Sequence, residues 1–385
     1  MLAPAGGPAY WRFGWVCRRA RDERTDLSAA RRGARTRPGV ARCLGMEASV
    51  REGAMQRVLV TGAGGFIGHH LVTHLKERGY WVRGVDVKEP EYTAIDADEF
   101  ELLDLRRWDE ALRAMRGIDQ VYALAADMGG MGFISANHAT ILHDNALMNL
   151  HTIEAARLHG VGRYLYSSSA CVYPEHLQDH ADVAPLRESD AYPANPQDAY
   201  GWEKLITERL CLYYAGQYGM ETRMVRFHNV YGPYGTYDGG REKVPAALCR
   251  KVALAPSGGS IEIWGDGEQT RSFCYVDDCI EGIYRIMQSG HREPINLGTD
   301  RMVTINELAR LVIQVSGKHD ISLVHVDGPQ GVRGRNSDNT TLRDVLGWEP
   351  QISLEEGLAP TYRWIEEQVS TRAAVAPAAP AAVAA

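Results

Sequence analysis

The chain has 385 residues, 45% of them hydrophobic, and a formal net charge of -7; this is enough apolar material for a large core and for two lobes rather than one. No run of 18 apolar residues occurs, so no membrane span is expected, and the acidic balance argues against nucleic acid as a partner, since a polyanion would be repelled. The seven cysteines (17, 43, 171, 211, 249, 274 and 279) are scattered and form no Cys-x-x-Cys pair, a pattern that points to a reducing, cytoplasmic setting with neither a disulfide framework nor a metal site.

The positive charge is concentrated at the start. Within the first 45 residues ten arginines face only Asp22, Glu23 and Asp26. Few serines and no amphipathic stripe accompany them, so residues 1–54 read as a disordered basic extension rather than a targeting peptide, with Met46 or Met55 as natural starts.

The first periodic signal is the apolar run 57–61, which stops at Gly62-Ala63-Gly64-Gly65-Phe66-Ile67-Gly68 and continues as a helix over 69–78 and a strand over 81–86. In this βαβ unit Gly62 permits a tight turn, Gly65 lets a pyrophosphate approach the backbone, and Gly68 lets helix and strand pack closely. Phe66 and Ile67 lie between the last two glycines, beside the helix N-terminus that would face the phosphates. Asp86 ends the next strand, where a carboxylate accepts hydrogen bonds from a ribose 2'-hydroxyl and repels a 2'-phosphate. NAD is therefore the expected cofactor, not its phosphorylated form. Asp104, after the strand-like 101–103, is a candidate for the adenine edge. Leu124 and Ala125 place small residues where a dinucleotide backbone would pass.

Further strand-like runs at 120–124, 163–167 and 222–227 alternate with helical stretches at 108–115, 141–159 and 200–218. Such alternation predicts an α/β fold with a doubly wound parallel sheet of Rossmann type. Residues 55–230 are expected to form this NAD-binding domain. After about residue 230 the pattern shifts to short glycine-rich pieces, including 261–267 and 328–339, which predict a smaller α/β substrate-binding lobe over 231–368. Part of 270–300 should pack back on the first lobe, and residues 369–385 read as a disordered Ala/Pro tail.

Tyr200-Gly201-Trp202-Glu203-Lys204 opens a helix, which puts Tyr200 and Lys204 on one face a turn apart. An ammonium beside a tyrosine favours its phenolate, and such a pair can take a hydroxyl proton as hydride leaves to a nicotinamide. Together with the glycine turn and Ser167-Ser168-Ser169, these residues resemble the extended short-chain dehydrogenases, Rossmann-fold enzymes of nucleotide-sugars, over residues 56–368. The resemblance implies that Ser169 bonds the substrate hydroxyl, Tyr200 is the base, and Lys204 holds the nicotinamide ribose while lowering the tyrosine's pKa.

Within that family the stretch Ser169-Ala170-Cys171-Val172-Tyr173-Pro174 lacks the Asp-Glu pair of the 4,6-dehydratases and the Thr common in 4-epimerases. A free cysteine is most often a small buried filler, and it becomes a base only as thiolate, which nearby positive charge promotes. This stretch, with 128–132, 239–243 and 331–338, resembles the GDP-mannose 3,5-epimerase branch. That resemblance implies Cys171 and Lys243 as base and acid, Gly129 at the sugar, and guanine as the base of the nucleotide-sugar. The substrate-binding set expected from it further includes Ala170, Asn229, Glu242, Lys251 and Gln269, with Arg271 and Arg335 forking onto the diphosphate. A homodimer through 141–159 and 200–218 is the family's habit. Two other readings stay open: a 4-epimerase or decarboxylase of another nucleotide-sugar, and an idle NAD-binding scaffold, against which Ser169, Tyr200 and Lys204 speak.

Overall fold

The computed structural model describes residues 55–375; the basic extension read at 1–54 and residues 376–385 of the Ala/Pro tail lie outside the described residues. In chain order the first part comprises β1 (Arg57–Thr61), α1 (Phe66–Glu77), β2 (Trp81–Asp86), β3 (Glu99–Leu102), α2 (Trp108–Ala114), β4 (Gln120–Ala123), α3 (Met131–Ala136), α4 (His138–Leu158), β5 (Arg163–Ser169), α5 (Ala199–Tyr218) and β6 (Thr222–Phe227). There follow β7 (Val230–Tyr231), α6 (Val244–Leu254), β8 (Ser260–Trp264), β9 (Thr270–Ser272), β10 (Cys274–Tyr275), α7 (Val276–Gln288), β11 (Pro294–Leu297), β12 (Met302–Thr304), α8 (Ile305–Ser316), β13 (Ser322–Val326), β14 (Gly334–Arg335), α9 (Thr340–Leu346) and α10 (Leu354–Val375).

Seven strands form one sheet in the order β11-β6-β5-β4-β1-β2-β3, every pair parallel. The order reverses between β1 and β4, and in open α/β sheets the crevice beyond the strand ends at such a switch point is where ligands bind. The strands read as continuous apolar runs because both faces are covered. Val58 and Val60 of β1 pack with Leu71, Leu75 of α1 and Val276 of α7. Leu59, between them, points the other way, into a core with Ala111 of α2, Ile153 of α4 and Cys211 of α5. β11 extends the sheet beside β6.

Beyond β6 the sheets are small: β7 with β10, β8 with β13, and the trio β12-β9-β14. The first core cluster runs on without a break through Leu248 and Val252 of α6, Leu308 and Val312 of α8 and Leu358 and Ile365 of α10. No helix among the described residues is long and apolar enough to cross a membrane.

Two expected boundaries move. α1 starts at Phe66, not at 69, because the last glycine of the motif is helical: a Cβ at Gly68 would lie 2.1 Å from the Gly62 carbonyl oxygen. α10 continues to Val375, so the tail expected from 369 begins as helix. Val369 packs on the core there, and the alanines that follow are strong helix formers.

Candidate active site

A cleft of about 980 Å³ opens at the carboxyl ends of β1, β2, β4, β5 and β6 and reaches across to α6, β8 and β14. Of the residues expected to hold NAD, Gly62, Gly65, Phe66, Ile67, Gly68, Asp86, Leu124, Ala125, Tyr200 and Lys204 line it. Gly62 adopts φ +71°, and a Cβ there would sit 3.0 Å from the Ala125 backbone. The Thr61 hydroxyl accepts hydrogen bonds from the Leu124 and Ala125 N–H groups, both at 3.1 Å, which clamps the glycine turn to the end of β4. No side chain caps α1, so its first turn offers its free N–H groups to an anion.

Asp86 serves two needs at once. One carboxylate oxygen accepts from Gly64 N–H at 3.0 Å and the other from Val87 and Lys88 N–H at 2.7 and 3.2 Å. Burial pushes this carboxyl up, and the three N–H groups pull it back. Gly64, which the motif spacing leaves unassigned, is needed here: a Cβ would fall 2.5 Å from the Lys88 carbonyl oxygen. A glycine cradle with no side chain to block it, an uncapped helix start and a carboxylate at the end of β2 fit the pyrophosphate and ribose of NAD.

Asp104 sits at the edge of the cleft. Leu103, Leu105 and Arg106 line the cleft, but Asp104 does not. Its carboxylate instead holds the Arg106 guanidinium at 2.9 and 2.8 Å, and that pairing keeps it below its ordinary value.

The next group sits where α5 begins. Asp198 caps the helix, its Oδ1 accepting from Gly201 N–H at 2.8 Å. Gly201 allows that first turn to press on the Cys171 segment, since a Cβ would be 2.1 Å from the Cys171 carbonyl oxygen. Tyr200, Lys204, Ser169 and Cys171 thereby share one wall of the cleft. The Ser169 Oγ accepts from Cys171 N–H at 3.2 Å. Lys204 is buried, its Nζ 5.3 Å from the Tyr200 ring centre, 4.9 Å from that of Tyr166 and 3.9 Å from Glu203 Oε2. Glu203 is in turn held by the Tyr166 hydroxyl at 3.0 Å, and by Asn149.

The ammonium thus lies among two rings and a carboxylate. Burial pushes Tyr200 well up, with Cys171, Glu203 and Asp198 adding to the effect and the Ser169 hydrogen bond opposing it. Burial also pulls Lys204 down. With neither cofactor nor substrate in the cleft, burial keeps Tyr200 a phenol.

The segment before α6 also lines the cleft. Gly239 and Gly240 both have positive φ, at 89° and 85°, and lead into Arg241, Glu242 and Lys243. Gly130 N–H donates to the Arg241 carbonyl at 3.1 Å, and a Cβ at Gly130 would lie 2.6 Å from the Glu242 carbonyl oxygen. Arg241 closes the contact: its guanidinium stacks 3.7 Å over Phe133 and reaches Asp127 at 2.9 Å. Lys243 is solvent-accessible, but the solvent is that of the cleft, and this enclosure lowers its ammonium below the ordinary lysine value.

Gly129, Ala170, Asn229, Glu242, Lys251, Gln269, Arg271 and Arg335 all line the same cleft. Several already have work within the fold. Asn229, at φ +44°, donates to the Ser272 carbonyl; Glu242 pairs with Arg250 at 3.1 Å and accepts from Gly240 N–H. Lys251 bonds the Glu262 carbonyl at 2.7 Å and Gln269 the Trp264 carbonyl at 3.2 Å. Arg271 donates to the Thr270 and Val332 carbonyls at 2.7 and 2.5 Å. Burial and then the neighbouring Arg335 pull its guanidinium down to about 9. Among the described residues neither Arg271 nor Arg335 is paired with a carboxylate, an arrangement of buried cations that calls for an anion from outside.

Residues 58–298 match the NAD dependent epimerase/dehydratase family. Over 315 residues, 81% of this chain and 82% of the relative, the chain is 50% identical to GDP-mannose 3,5-epimerase 1 of Oryza sativa subsp. japonica. It is equally 50% identical to GDP-mannose 3,5-epimerase of Arabidopsis thaliana, over 81% of this chain and 83% of that one. Among solved structures, UDP-glucose 4-epimerase of Thermotoga maritima with UDP-glucose superposes with a TM-score of 0.74 at 29% identity, over 82% of this chain and 100% of that one. Fold, glycine cradle and these likenesses agree: the chain belongs to the NAD dependent epimerase/dehydratase family.

Proposed function

We propose that this enzyme epimerises GDP-mannose at C3 and C5 through a transient 4-keto sugar, to GDP-L-galactose when both centres invert and/or GDP-gulose when only C5 does. The observation that carries this reading is that Cys171 and Lys243 share a cleft with Ser169, Tyr200 and Lys204. It is supported by 50% identity to two proteins named as GDP-mannose 3,5-epimerases. An epimerisation at C4 alone would need neither Cys171 nor Lys243.

The glycine turn, Asp86, Tyr200 and Lys204 would hold NAD, which would supply a hydride acceptor and donor for the sugar C4 and, in its oxidised form, a positive charge beside Tyr200. Ser169 orients the C4 hydroxyl, and Tyr200 Oη takes its proton. The C4 ketone acidifies the hydrogens on C3 and C5. Cys171 Sγ, as thiolate, takes one of them, and Lys243 Nζ delivers a proton to the opposite face. Between the two inversions the ring flips, and proton exchange with water returns the thiol to thiolate and the amine to ammonium, so the same pair serves both carbons. Arg271 holds the diphosphate.

Further support bears on assembly and setting. Leu142 and Leu150 of α4 and Ile206 and Tyr213 of α5 are exposed apolar side chains on two neighbouring helices, which suits a homodimer formed through those helices. The five described cysteines are free thiols, as a cytoplasmic enzyme's would be. The test is incubation of purified enzyme with GDP-mannose in heavy water without added NAD. Uptake of up to two deuterons with galactose- or gulose-configured product is expected. No uptake, even with NAD supplied, overturns the reading in favour of another nucleotide-sugar.

A further inference from the structure

Resting on the roles given above to Tyr200 and Lys204, we infer that Glu203 is a positioning residue: its buried carboxylate anchors the Lys204 ammonium on the wall of the cleft and preserves its charge there. Glu203 and Lys204 are each 1% exposed, with Glu203 Oε2 3.9 Å from Lys204 Nζ. The carboxylate's hydrogen bonds come from neutral donors. Its Oε1 accepts from the Tyr166 hydroxyl at 3.0 Å and from Asn149 Nδ2, and its Oε2 from Asn145 Nδ2 at 3.4 Å. Asn145 and Asn149 stand a turn apart on α4, and each is fixed from elsewhere. Asn145 binds the Asp127 backbone at both its N–H, at 2.7 Å, and its carbonyl, at 3.1 Å. Asn149 Nδ2 reaches Thr207 Oγ1 at 3.2 Å.

A carboxylate taken out of water needs a cation, and among the described residues Lys204 is the one within ion-pair distance of Glu203. Glu208, further along α5, shows the other arrangement: Arg226 donates to its two oxygens at 2.8 and 2.7 Å, so its charge is neutralised within the fold. Around the ammonium stand Tyr200, Glu203 and Glu208 of α5, Tyr166 of β5 and Cys171 just after it, while α4 presents the amides of Asn145 and Asn149. Burial pulls Lys204 down, and Glu203 leads the groups that oppose this, ahead of Cys171 and Glu208. At Tyr200, where burial and then Cys171 weigh more, the same carboxylate disfavours the phenolate, so what it contributes to the reaction passes through the lysine. Without it the ammonium would lose its proton at lower pH, and any step that needs the cation would fail at lower pH.

The test compares the wild-type enzyme with E203Q and E203D by two measurements. In the first, protein stripped of cofactor meets trace acetic anhydride, which acylates the neutral amine and not the ammonium, and labelling of Lys204 is followed by peptide mass spectrometry as the pH is raised. E203Q should label about tenfold faster than wild type at equal pH, and E203D, whose carboxylate is drawn back by one methylene, should fall between. In the second, reduction of retained NAD on adding GDP-mannose to the holoenzyme is followed by near-ultraviolet absorbance. Its alkaline limb should move to lower pH in E203Q, where the rate on that limb is about tenfold below wild type at equal pH. Wild-type labelling together with a rate that falls equally at every pH would make Glu203 a packing residue and overturn the proposal. Should E203Q fail to fold, E203D decides alone, faster labelling supporting the proposal and wild-type labelling refuting it. Acetic anhydride reports on the lysine without any sugar, so absence of NAD reduction in the wild type would fault the substrate and not this assignment.

Discussion

The cofactor side of the cleft draws its contacts from a short stretch of chain, with Thr61, Gly62, Gly64, Gly68 and Asp86 closing on one another through backbone approaches. The sugar side gathers Gly129, Cys171, Lys243 and Arg335 from four separate segments spread over more than half of the chain. The first is a fixed cradle in which side chains are mostly excluded. The second is a set of charges and one thiol whose meaning depends on what faces what. A dinucleotide asks the same of every protein that binds it, namely room for the backbone and donors for phosphate. The sugar chemistry asks for particular groups at particular faces, and loops supply them.

The two sides can be broken separately. Cys171→Ser keeps the shape of the sugar side but removes the thiolate, and deuterium uptake at C3 and C5 should fall by on the order of 10³-fold. Retained NAD, followed by its near-ultraviolet absorbance when GDP-mannose is added, should still be reduced. Wild-type uptake in this variant would return Cys171 to a packing residue.

Gly68→Ala strikes the other side. Its Cβ would meet the Gly62 carbonyl oxygen at 2.1 Å with only backbone to give way, a case of overpacking that costs about 1–3 kcal/mol. The purified variant should have lost most of its NAD and melt several degrees lower by calorimetry, whereas Cys171→Ser should do neither. Equal NAD content in the two variants would mean that the third glycine is tolerant, and that the cradle is less tight than the distances imply.

That division also decided what could be read in the sequence. The βαβ unit, Asp86 and the Tyr200–Lys204 spacing are local patterns with a physical reason at each position, and the strands 81–86 and 222–227 fall where alternation put them. Cys171 and Lys243 lie 72 residues apart in sequence, and nothing in composition joins them; only the resemblance of four segments did. Gly201 carried an unused signal, because glycine inside a helix costs roughly 1 kcal/mol against alanine, and its reason is the Cys171 carbonyl pressed against it. Asp198 was equally legible as a helix cap. Gln178 was not: a glutamine in a loop has no pattern, and only the fold shows its Oε1 accepting from Arg335 Nε at 2.6 Å.

Asp104 gives the sharpest contrast between pattern and place. Its position after a strand suggested the adenine edge, yet its carboxylate turns to Arg106, whose Nη1 also reaches Asp144 at 2.6 Å. Both partners stay partly exposed, so the pair contributes little to stability, up to about 1 kcal/mol. Asp104→Asn should therefore leave NAD affinity within about twofold of wild type, while Asp86→Asn weakens it by tenfold or more, since there the carboxylate both meets the ribose and holds the glycine turn. Calorimetric titration of the two variants, stripped of cofactor, makes the comparison directly. If Asp104→Asn lost as much affinity as Asp86→Asn, Arg106 would be the link, because it lines the cleft and its orientation depends on that carboxylate. The adenine pocket would then extend one residue further than the chain's own geometry draws it.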